Sequence, residues 1–316
     1  MTTLPNNKIV VVCGPTASGK TALGVALAKE LNGEVVSADS MQIYRGMDIG
    51  TAKPTAEEMQ GVPHHMIDVA DPGEDYSVAR YVEEASACVD RILALGKTPI
   101  LVGGTGLYID SLILGRQFAP FPGRIRAELT QRLQKEGISS LYKTLEAVDP
   151  ERAARLHQND EKRIIRALEV YYETGRTLTE HDRESQSLPP RYEAATIFLN
   201  YADRADLWKR IDSRVDEMER AGLVEEVRRL LHSGVSPKAT AMQAIGYKEF
   251  SAALRGEESL EAALGQVKLR SRQYAKRQVT WFRRNEQAFR YEWKKIPVLA
   301  DALRVSTAFV REHGIG

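Results

Sequence analysis

The sequence of 316 residues lacks the features of a secreted or membrane-spanning protein. Its two cysteines, Cys13 and Cys88, lie far apart, so neither a disulfide nor a cysteine-based metal site is expected. No apolar run approaches the ~18 residues of a membrane span. The N-terminal residues have no apolar stretch or cleavage site typical of a signal peptide. We therefore expect a cytoplasmic monomer that has no membrane partner.

The chain also lacks an excess of either charge, since 44 basic and 43 acidic residues give a net charge of +1. The total therefore gives no reason to expect a nucleic-acid partner. One segment differs, because residues 266–285 contain no acid and interleave aromatic side chains with basic ones. Two interpretations stay open, a surface for a phosphate backbone and a solvated helix face. The basic residues of this segment are Lys268, Arg270, Arg272, Lys276, Arg277, Arg283 and Arg284.

Residues 14–21 form the phosphate-binding pattern G-x-x-x-x-G-K-[ST]. An apolar run precedes the pattern and leucines at helical spacing follow it, which is the strand–loop–helix context of a true site. Backbone N–H groups and the helix N-terminus would bind an oligophosphate, Lys20 would reach the outer phosphate, and the Thr21 hydroxyl would bind Mg2+. The predicted phosphate-binding residues are Gly14, Pro15, Thr16, Ala17, Ser18, Gly19, Lys20 and Thr21.

The hydrophobic pattern predicts an α/β fold with an inserted helical domain. Strands are predicted at 9–13, 34–38, 65–69, 99–102 and 195–200, and helices at 20–31 and 78–95. Between residues 118 and 187 the pattern is charged and helical, with little strand signal. We therefore predict a P-loop core of residues 1–117 and 195–316, with a parallel sheet covered by helices, and an all-helical insertion of residues 118–194.

Polar residues lie at or just beyond the ends of three of the predicted strands, at the sheet edge where parallel α/β proteins bind ligands. Asp39 follows the second strand, and its carboxylate can hold Mg2+, accept a proton from a nucleophile, or cap a helix. Gly103, Gly104 and Thr105 follow the fourth strand and form either a tight turn or part of the same site. Asp68, near the end of the third predicted strand, is a candidate for an indirect contact to Mg2+.

Seven stretches of the chain resemble the bacterial tRNA dimethylallyltransferases, also called tRNA isopentenyltransferases. They are residues 14–21, 37–54, 64–68, 103–108, 159–175, 222–227 and 243–249, in the order of the family. Residues 39–54 are far more specific than the phosphate loop, which many unrelated NTPases share. Eukaryotic members carry a zinc-binding tail with paired Cys and His, and this sequence has no such pair.

The resemblance implies a core related to P-loop kinases and a specific reaction. The dimethylallyl group of dimethylallyl diphosphate would move to the exocyclic N6 amine of the adenosine on the 3′ side of the tRNA anticodon, giving N6-isopentenyladenosine. The resemblance implies Asp39 as the general base, Lys20 with Mg2+ for the departing diphosphate, and Thr105 close to the RNA. It also implies an arginine near the reacting groups, which matches Arg124 or its neighbour Arg126.

The same resemblance implies that the insertion binds the anticodon stem-loop. Lys162 and Arg166 share a helix face, although ion pairs with Glu161 or Glu169 are the alternative. Arg210 and Arg214 look suited to the diphosphate. The residues that match RNA contacts of the family are Asp39, Ser40, Met41, Gln42, Lys162, Arg163, Ile164, Ile165, Arg166, Gln243, Gly246, Tyr247 and Lys248.

Three other functions use the same phosphate loop. A small-molecule kinase would bind ATP there, but it has no use for a basic helical insertion. A GTP-dependent switch would need an Asn-Lys-x-Asp motif, which is not found in the sequence. A prenyl transferase for free adenine nucleotides would share the core, but it would have less use for the insertion.

Overall fold

The computed structural model describes residues 7–116, 118, 124–295 and 297–316. These residues form two compact units. The first, which we call the core, comprises Met1–Gly115 and Arg191–Gly316, and the second, which we call the insertion, comprises Arg116–Pro190. No helix among the described residues is both long and apolar enough to span a membrane.

The core is built on one sheet of six parallel strands in the order β3-β2-β4-β1-β5-β6. Its central strands are buried along nearly their whole length, as expected of a parallel sheet with helices on both faces. The strands are β1 Lys8–Cys13, β2 Gly33–Ala38, β3 His64–His65, β4 Thr98–Gly103, β5 Glu193–Tyr201 and β6 Phe289–Trp293.

Fourteen α-helices are described, of which α5 to α9 belong to the insertion and the others to the core. They are α1 Lys20–Glu30, α2 Ala56–Met59, α3 Val78–Ala94, α4 Gly106–Leu114, α5 Arg124–Glu136, α6 Ile138–Val148, α7 Pro150–Arg155, α8 Glu161–Thr174, α9 Leu178–Ser187, α10 Arg204–Arg220, α11 Leu223–His232, α12 Tyr247–Leu254, α13 Leu260–Phe282 and α14 Leu299–Glu312. A short 3-10 helix, Ala241–Gln243, precedes α12.

The insertion has a hydrophobic core of its own. Leu141, Leu145, Ile164 and Leu168 are fully buried and pack together between its helices. The Asp149 side chain caps α7 and also accepts hydrogen bonds from the backbone and hydroxyl of Thr179 in α9. Apolar packing and this buried carboxylate therefore hold the helices of the insertion together.

The predicted α/β core with an inserted helical unit is confirmed, but two strands differ from the sequence prediction. The strand predicted at 65–69 was wrong beyond His65, because Met66 and Asp68 adopt positive φ angles of 63° and 56°. Strand β6 was not predicted. It is short and lies at the sheet edge, and its side chains alternate between partial burial and exposure until Trp293.

A buried carboxylate holds the segment that follows Tyr44. Both oxygens of Glu226 on α11 accept hydrogen bonds from the N–H groups of Asp48, Ile49 and Gly50. The Tyr247 hydroxyl also donates to Glu226 Oε1 at 2.5 Å. A Cβ atom at Gly50 would lie 2.5 Å from the Tyr247 ring. The family-specific pattern at residues 46–54 therefore reflects a loop that must fit closely around Glu226 and Tyr247.

We predict that Glu226→Gln lowers the free energy of unfolding by about 3 kcal/mol. The new NH2 group would face backbone N–H groups that need an acceptor, and unsatisfied buried donors cost about 1–3 kcal/mol each. Urea denaturation checks this value. The matched control is Glu225→Gln, an exposed neighbour whose ion pair with Arg228 should contribute less than about 1 kcal/mol. Equal stability of the two variants would contradict the prediction.

Candidate active site

The phosphate loop closes tightly over the end of β1. Gly14 has a φ of 152°, and a Cβ atom there would collide with the carbonyl oxygen of Leu199. The indole of Trp293 on β6 donates to Ser18 O at 2.7 Å, and Lys20 Nζ donates to Pro15 O at 2.7 Å. The loop is therefore held against β5 and β6, with its lysine folded over its own backbone.

Two cationic side chains at this loop, Lys20 and Arg214, lose hydration because they are buried. Burial, followed by the nearby Arg214, lowers the pKa of Lys20 to about 8. Burial, followed by Arg210, likewise lowers the pKa of Arg214. Both shifts mean that the surroundings disfavour positive charge until an anion compensates for it. The arrangement therefore favours binding of a multiply charged anion.

Asp39 lies in a tight turn at the end of β2. Its Oδ1 atom accepts hydrogen bonds from the N–H groups of Met41 at 2.9 Å and Gln42 at 3.3 Å. No helix follows, so the helix-cap interpretation of Asp39 was wrong. Ser40 N donates to Thr105 Oγ1 at 3.1 Å, and Thr105 N donates to Ala38 O. The structure thus brings the predicted residues Asp39 and Thr105 to one place.

A cavity of about 320 Å³ joins the phosphate loop to Asp39. Its polar wall comes from the loop, from the Asp39 turn and from Gly103–Gly104, while α10, α11 and α13 supply much of its apolar wall. The lining includes Thr16, Lys20, Thr21, Asp39, Gln42, Ile211, Arg214, Val215, Met218, Leu223, Val267, Tyr274, Arg277 and Gln278. A charged end and an apolar body suit a ligand that combines phosphate with hydrocarbon.

A second cavity, of about 820 Å³, lies on the other side of the same loop. It is lined by Ser18, Gly19, Lys209, Arg210, Lys295 and others, and it shares Ala17, Lys20, Thr21 and Arg214 with the first cavity. Of these two cavities, Arg210 lines the second, whereas Arg214 lines both. The cationic groups of the loop can be approached from two directions.

Helix α13 supplies functional residues that the sequence analysis did not identify. Val267, Ser271, Tyr274 and Gln278 recur at helical spacing and line the first cavity. This helical period is the sequence signal that could have identified these residues, but basic residues are interspersed with it. Two of those basic residues, Lys268 and Arg272, form ion pairs with Asp216 and Asp212 on α10. The segment is therefore partly a helix–helix contact.

Family models and curated relatives match this chain along most of its length. A model described as IPP transferase matches residues 42–285, and one described as isopentenyl transferase matches residues 7–71. The chain belongs to the IPP transferase family. It is 51% identical to the tRNA dimethylallyltransferase of Caldanaerobacter subterraneus subsp. tengcongensis over 279 residues, which cover 87% of this chain and 89% of the relative. It is 48% identical to that of Geobacter sulfurreducens over 299 residues, 94% of each chain.

Solved structures of IPP transferases share the fold. The full-length tRNA isopentenylpyrophosphate transferase of Bacillus halodurans is 40% identical, with a TM-score of 0.72 over 97% of this chain and 98% of that chain. A eukaryotic dimethylallyltransferase, described as acting on tRNA, is 31% identical, with a TM-score of 0.83 over 97% of this chain and 80% of that chain. The predicted family is therefore confirmed.

Several of the residues predicted to contact RNA form contacts inside the core. The Gln42 amide donates to Thr51 O and Ala52 O and accepts from the Ser37 hydroxyl, and the Tyr247 hydroxyl donates to Glu226.

The other residues of this set differ in their surroundings. Gly246 begins the turn into α12, while Gln243 lines the first cavity. Lys248 is exposed, and Ser40 and Met41 are half-buried beside Asp39. Their predicted contact with RNA stays a prediction.

In the insertion, the predicted RNA-binding residues fall into three groups. Ile164 and Ile165 are buried in its hydrophobic core. Arg166 pairs with the buried Glu169, as the ion-pair alternative predicts, whereas Arg163 pairs with Asp160, a partner that was not predicted. Lys162 is exposed.

The two arginines that the resemblance offers for contact with the reacting groups differ in their surroundings. Arg126 forms two hydrogen bonds to the buried Glu169 and is held in place. Arg124 is highly exposed and pairs along the helix surface with Glu128 at 3.0 Å. Arg124 is therefore the arginine with the freer side chain.

The donors that fit a divalent cation are few. No group of three or more His, Cys, Asp or Glu side chains among the described residues is arranged to hold a metal ion. Asp68 is not among the residues that line the first cavity, and its carboxylate binds Lys53 at 2.5 Å. Thr21 lines both cavities. Its hydroxyl is a suitable ligand for Mg2+, because Mg2+ needs few protein ligands when phosphate oxygens and water complete its coordination shell.

We predict that the Lys20 contribution to anion affinity begins to fall as the pH rises above about 8. A bound anion raises the Lys20 pKa, so binding is strongest while the amine is protonated, below its free-state value of about 8. Titration calorimetry with inorganic diphosphate should show that the affinity advantage of the wild type over Lys20→Met falls about fivefold from pH 8 to 9.

The exposed Lys29 on the same helix provides the matched control, since Lys29→Met should bind diphosphate like the wild type at every pH. A wild-type advantage over Lys20→Met that does not change with pH would contradict the lowered pKa.

Proposed function

We propose that this protein transfers the dimethylallyl group of dimethylallyl diphosphate to the N6 amine of the adenosine 3′-adjacent to the anticodon of tRNA. Membership of the IPP transferase family supports the reaction class. The observation that carries the proposal is one cavity in which the phosphate loop, Asp39 and an apolar wall meet. A phosphoryl-transfer enzyme needs the first two features but has no use for the third.

In the transfer, one bond at the allylic carbon breaks and a new one forms. The bond from C1 of the dimethylallyl group to the diphosphate oxygen breaks, and the diphosphate leaves with the bonding electrons. The N6 lone pair forms the new C–N bond, and one N6 proton must then leave. Because the N6 lone pair is delocalised into the adenine ring, the amine is a weak nucleophile and needs a base.

Asp39 is the base that fits this requirement. Its Oδ1 atom is fixed by two backbone N–H groups, so the orientation of the carboxylate is set before the substrate arrives. Oδ2 has no hydrogen bond among the described residues, and Asp39 lines the cavity. A proton from N6 would pass to this second oxygen. The Thr105 hydroxyl, bound to Ser40 N, lies next to this turn and is suited to contact the RNA.

Cationic groups stabilise the charge that develops on the departing diphosphate. Lys20 and Arg214 both face the cavity and are held at lowered pKa, so a new negative charge interacts strongly with them. Arg210 extends this charge into the second cavity. Mg2+ at Thr21 would act as a Lewis acid that neutralises diphosphate oxygens.

Recognition of the RNA depends on local surfaces, because the net charge is close to zero. The target adenine must leave its stack to reach Asp39, as happens in other enzymes that act on bases. A splayed anticodon loop is recognised by shape, stacking and backbone contacts, which needs only local basic patches. We assign the grip on the anticodon stem-loop to the insertion, with the exposed Lys162 as one of its phosphate contacts.

The test incubates the protein with labelled dimethylallyl diphosphate and Mg2+ and with unmodified tRNA or AMP, beside a kinase assay with ATP. Label should enter tRNA and not AMP. Phosphoryl transfer from ATP without label in tRNA would overturn the proposal. Label that enters AMP in preference to tRNA would favour a transferase for free nucleotides.

We predict that Asp39→Asn lowers kcat by about 10²–10⁴-fold, because the amide cannot accept the N6 proton. Its oxygen can still accept the two backbone N–H bonds, so tRNA affinity should change little. Asp71→Asn is the matched control, since this exposed carboxylate pairs with Arg45, and it should keep kcat. Near-normal turnover with lost tRNA binding would show that Asp39 is a contact and not the base.

We predict that Lys162→Glu weakens tRNA binding and makes its salt dependence shallower. Each lost phosphate contact should reduce the slope of log affinity against log salt concentration by about 1. Fluorescence anisotropy with labelled tRNA at several salt concentrations measures the slope. Lys143→Glu reverses another exposed lysine of the insertion and should leave the slope nearer to the wild-type value. Equal slopes for both variants would argue against a specific role of Lys162.

A further inference from the structure

Gln278 connects two loops of the active site through a single side chain. It lies on α13 and is only 5% exposed. Its Oε1 atom accepts a hydrogen bond from Thr16 N in the phosphate loop at 2.8 Å. Its Nε2 atom donates to Gly104 O in the turn after β4 at 3.0 Å. One carboxamide therefore fixes the distance between these two loops.

The contact is specific for a carboxamide. The site needs an acceptor on one side and a donor on the other, and the amide of Gln supplies both at this length. The turn has room for it only because residue 104 is glycine, since a Cβ atom there would collide with Nε2 of Gln278. Gly104 and Gln278 are thus matched to one another.

The contacts continue from Gly104 to the base. Thr105 follows Gly104 and accepts a hydrogen bond from Ser40 N, and Ser40 follows Asp39. A continuous series of short-range contacts therefore runs from the phosphate loop through Gln278 to the Asp39 turn. We propose that Gln278 is a positioning residue, which sets the separation between the diphosphate cradle and the general base.

This role has a consequence for the phosphate loop. The N–H group of Thr16 is directed to Gln278 and that of Ser18 to Pro15 O, so neither points to a diphosphate, and the cradle depends on the other loop amides together with Lys20. Loss of Gln278 leaves this cradle and the tRNA surfaces in place. It changes the relative position of the two reactants, on which the rate depends steeply, more than the binding of either one.

The inference rests on the proposed function, because it concerns the rate of that transfer. In steady-state assays, Gln278→Met should lower kcat about tenfold to hundredfold while the KM values for dimethylallyl diphosphate and tRNA stay within about threefold. Gln273→Met alters an exposed glutamine of the same helix and serves as the matched control. An unchanged kcat, or a loss confined to KM for the diphosphate, would overturn the inference.

A second variant separates positioning from simple packing. Gln278→Glu keeps the size of the side chain and the acceptor for Thr16, but its carboxylate repels Gly104 O until it is protonated. The ratio of its kcat to the wild-type kcat should therefore rise as the pH falls, whereas the ratio for Gln278→Met should not. If the kcat ratio of neither variant changes with pH, Gln278 is only a packing residue and the positioning role is wrong. Gln278→Glu also serves where Gln278→Met does not fold.

Amide hydrogen exchange provides a readout that does not depend on activity. Without substrates, the Thr16 amide should exchange faster in Gln278→Met than in the wild type or in Gln273→Met. If the wild type fails to modify tRNA but this difference is present, the proposed function fails and the connection between the loops stands. If the wild type is active and the exchange rates are equal, the positioning role fails by itself.

Discussion

The close approach of β2 and β4 is the constraint on which the active site depends. At their carboxyl ends Gly103 lies directly against Ala38, and a side chain at Gly103 would collide with the Ala38 carbonyl. Parallel pairing at this distance places the turns after both strands side by side. Thr105 can therefore bind Ser40, and the Asp39 carboxylate receives a fixed orientation. A wider spacing would leave the same residues present but too far apart to act together.

The site also holds positive charges in surroundings that disfavour them, and the stability of the fold makes this possible. Lys20 and Arg214 are kept in surroundings that lower their pKa, and a small surface loop could not hold them there. The buried β1, the Trp293 contact to Ser18 and the Glu226 contacts to residues 48–50 supply the rigidity. Because this cost is met during folding, the diphosphate of the proposed reaction would relieve it, and charge that builds up on the leaving group would be stabilised without reorganisation.

The sequence predicted those parts of the site that depend on local patterns. The phosphate loop is contiguous, and Asp39 and Thr105 follow strands whose apolar runs are easily recognised, so their meeting follows from parallel topology. Gln278 and Tyr274 could not be found in this way, because they lie on a helix some 170 residues beyond Gly104 and only tertiary packing brings them to the loop. Strand β6 was missed for a related reason, since an edge strand with one half-exposed face has a weak hydrophobic pattern.

The phosphate loop by itself does not identify the reaction, and its neighbours explain why. In a kinase the loop positions a phosphoryl group that is itself attacked, so the acceptor must approach the outer phosphorus atom. Here the first cavity extends from the loop along apolar side chains such as Val215 and Val267, with Asp39 lining the same space. In the proposed reaction, a group bound along that wall would have a carbon atom, and not phosphorus, facing Asp39. The same amides and lysine that would hold a transferred phosphate would then serve a diphosphate that departs, and the difference would lie in helices α10 and α13, outside the motif.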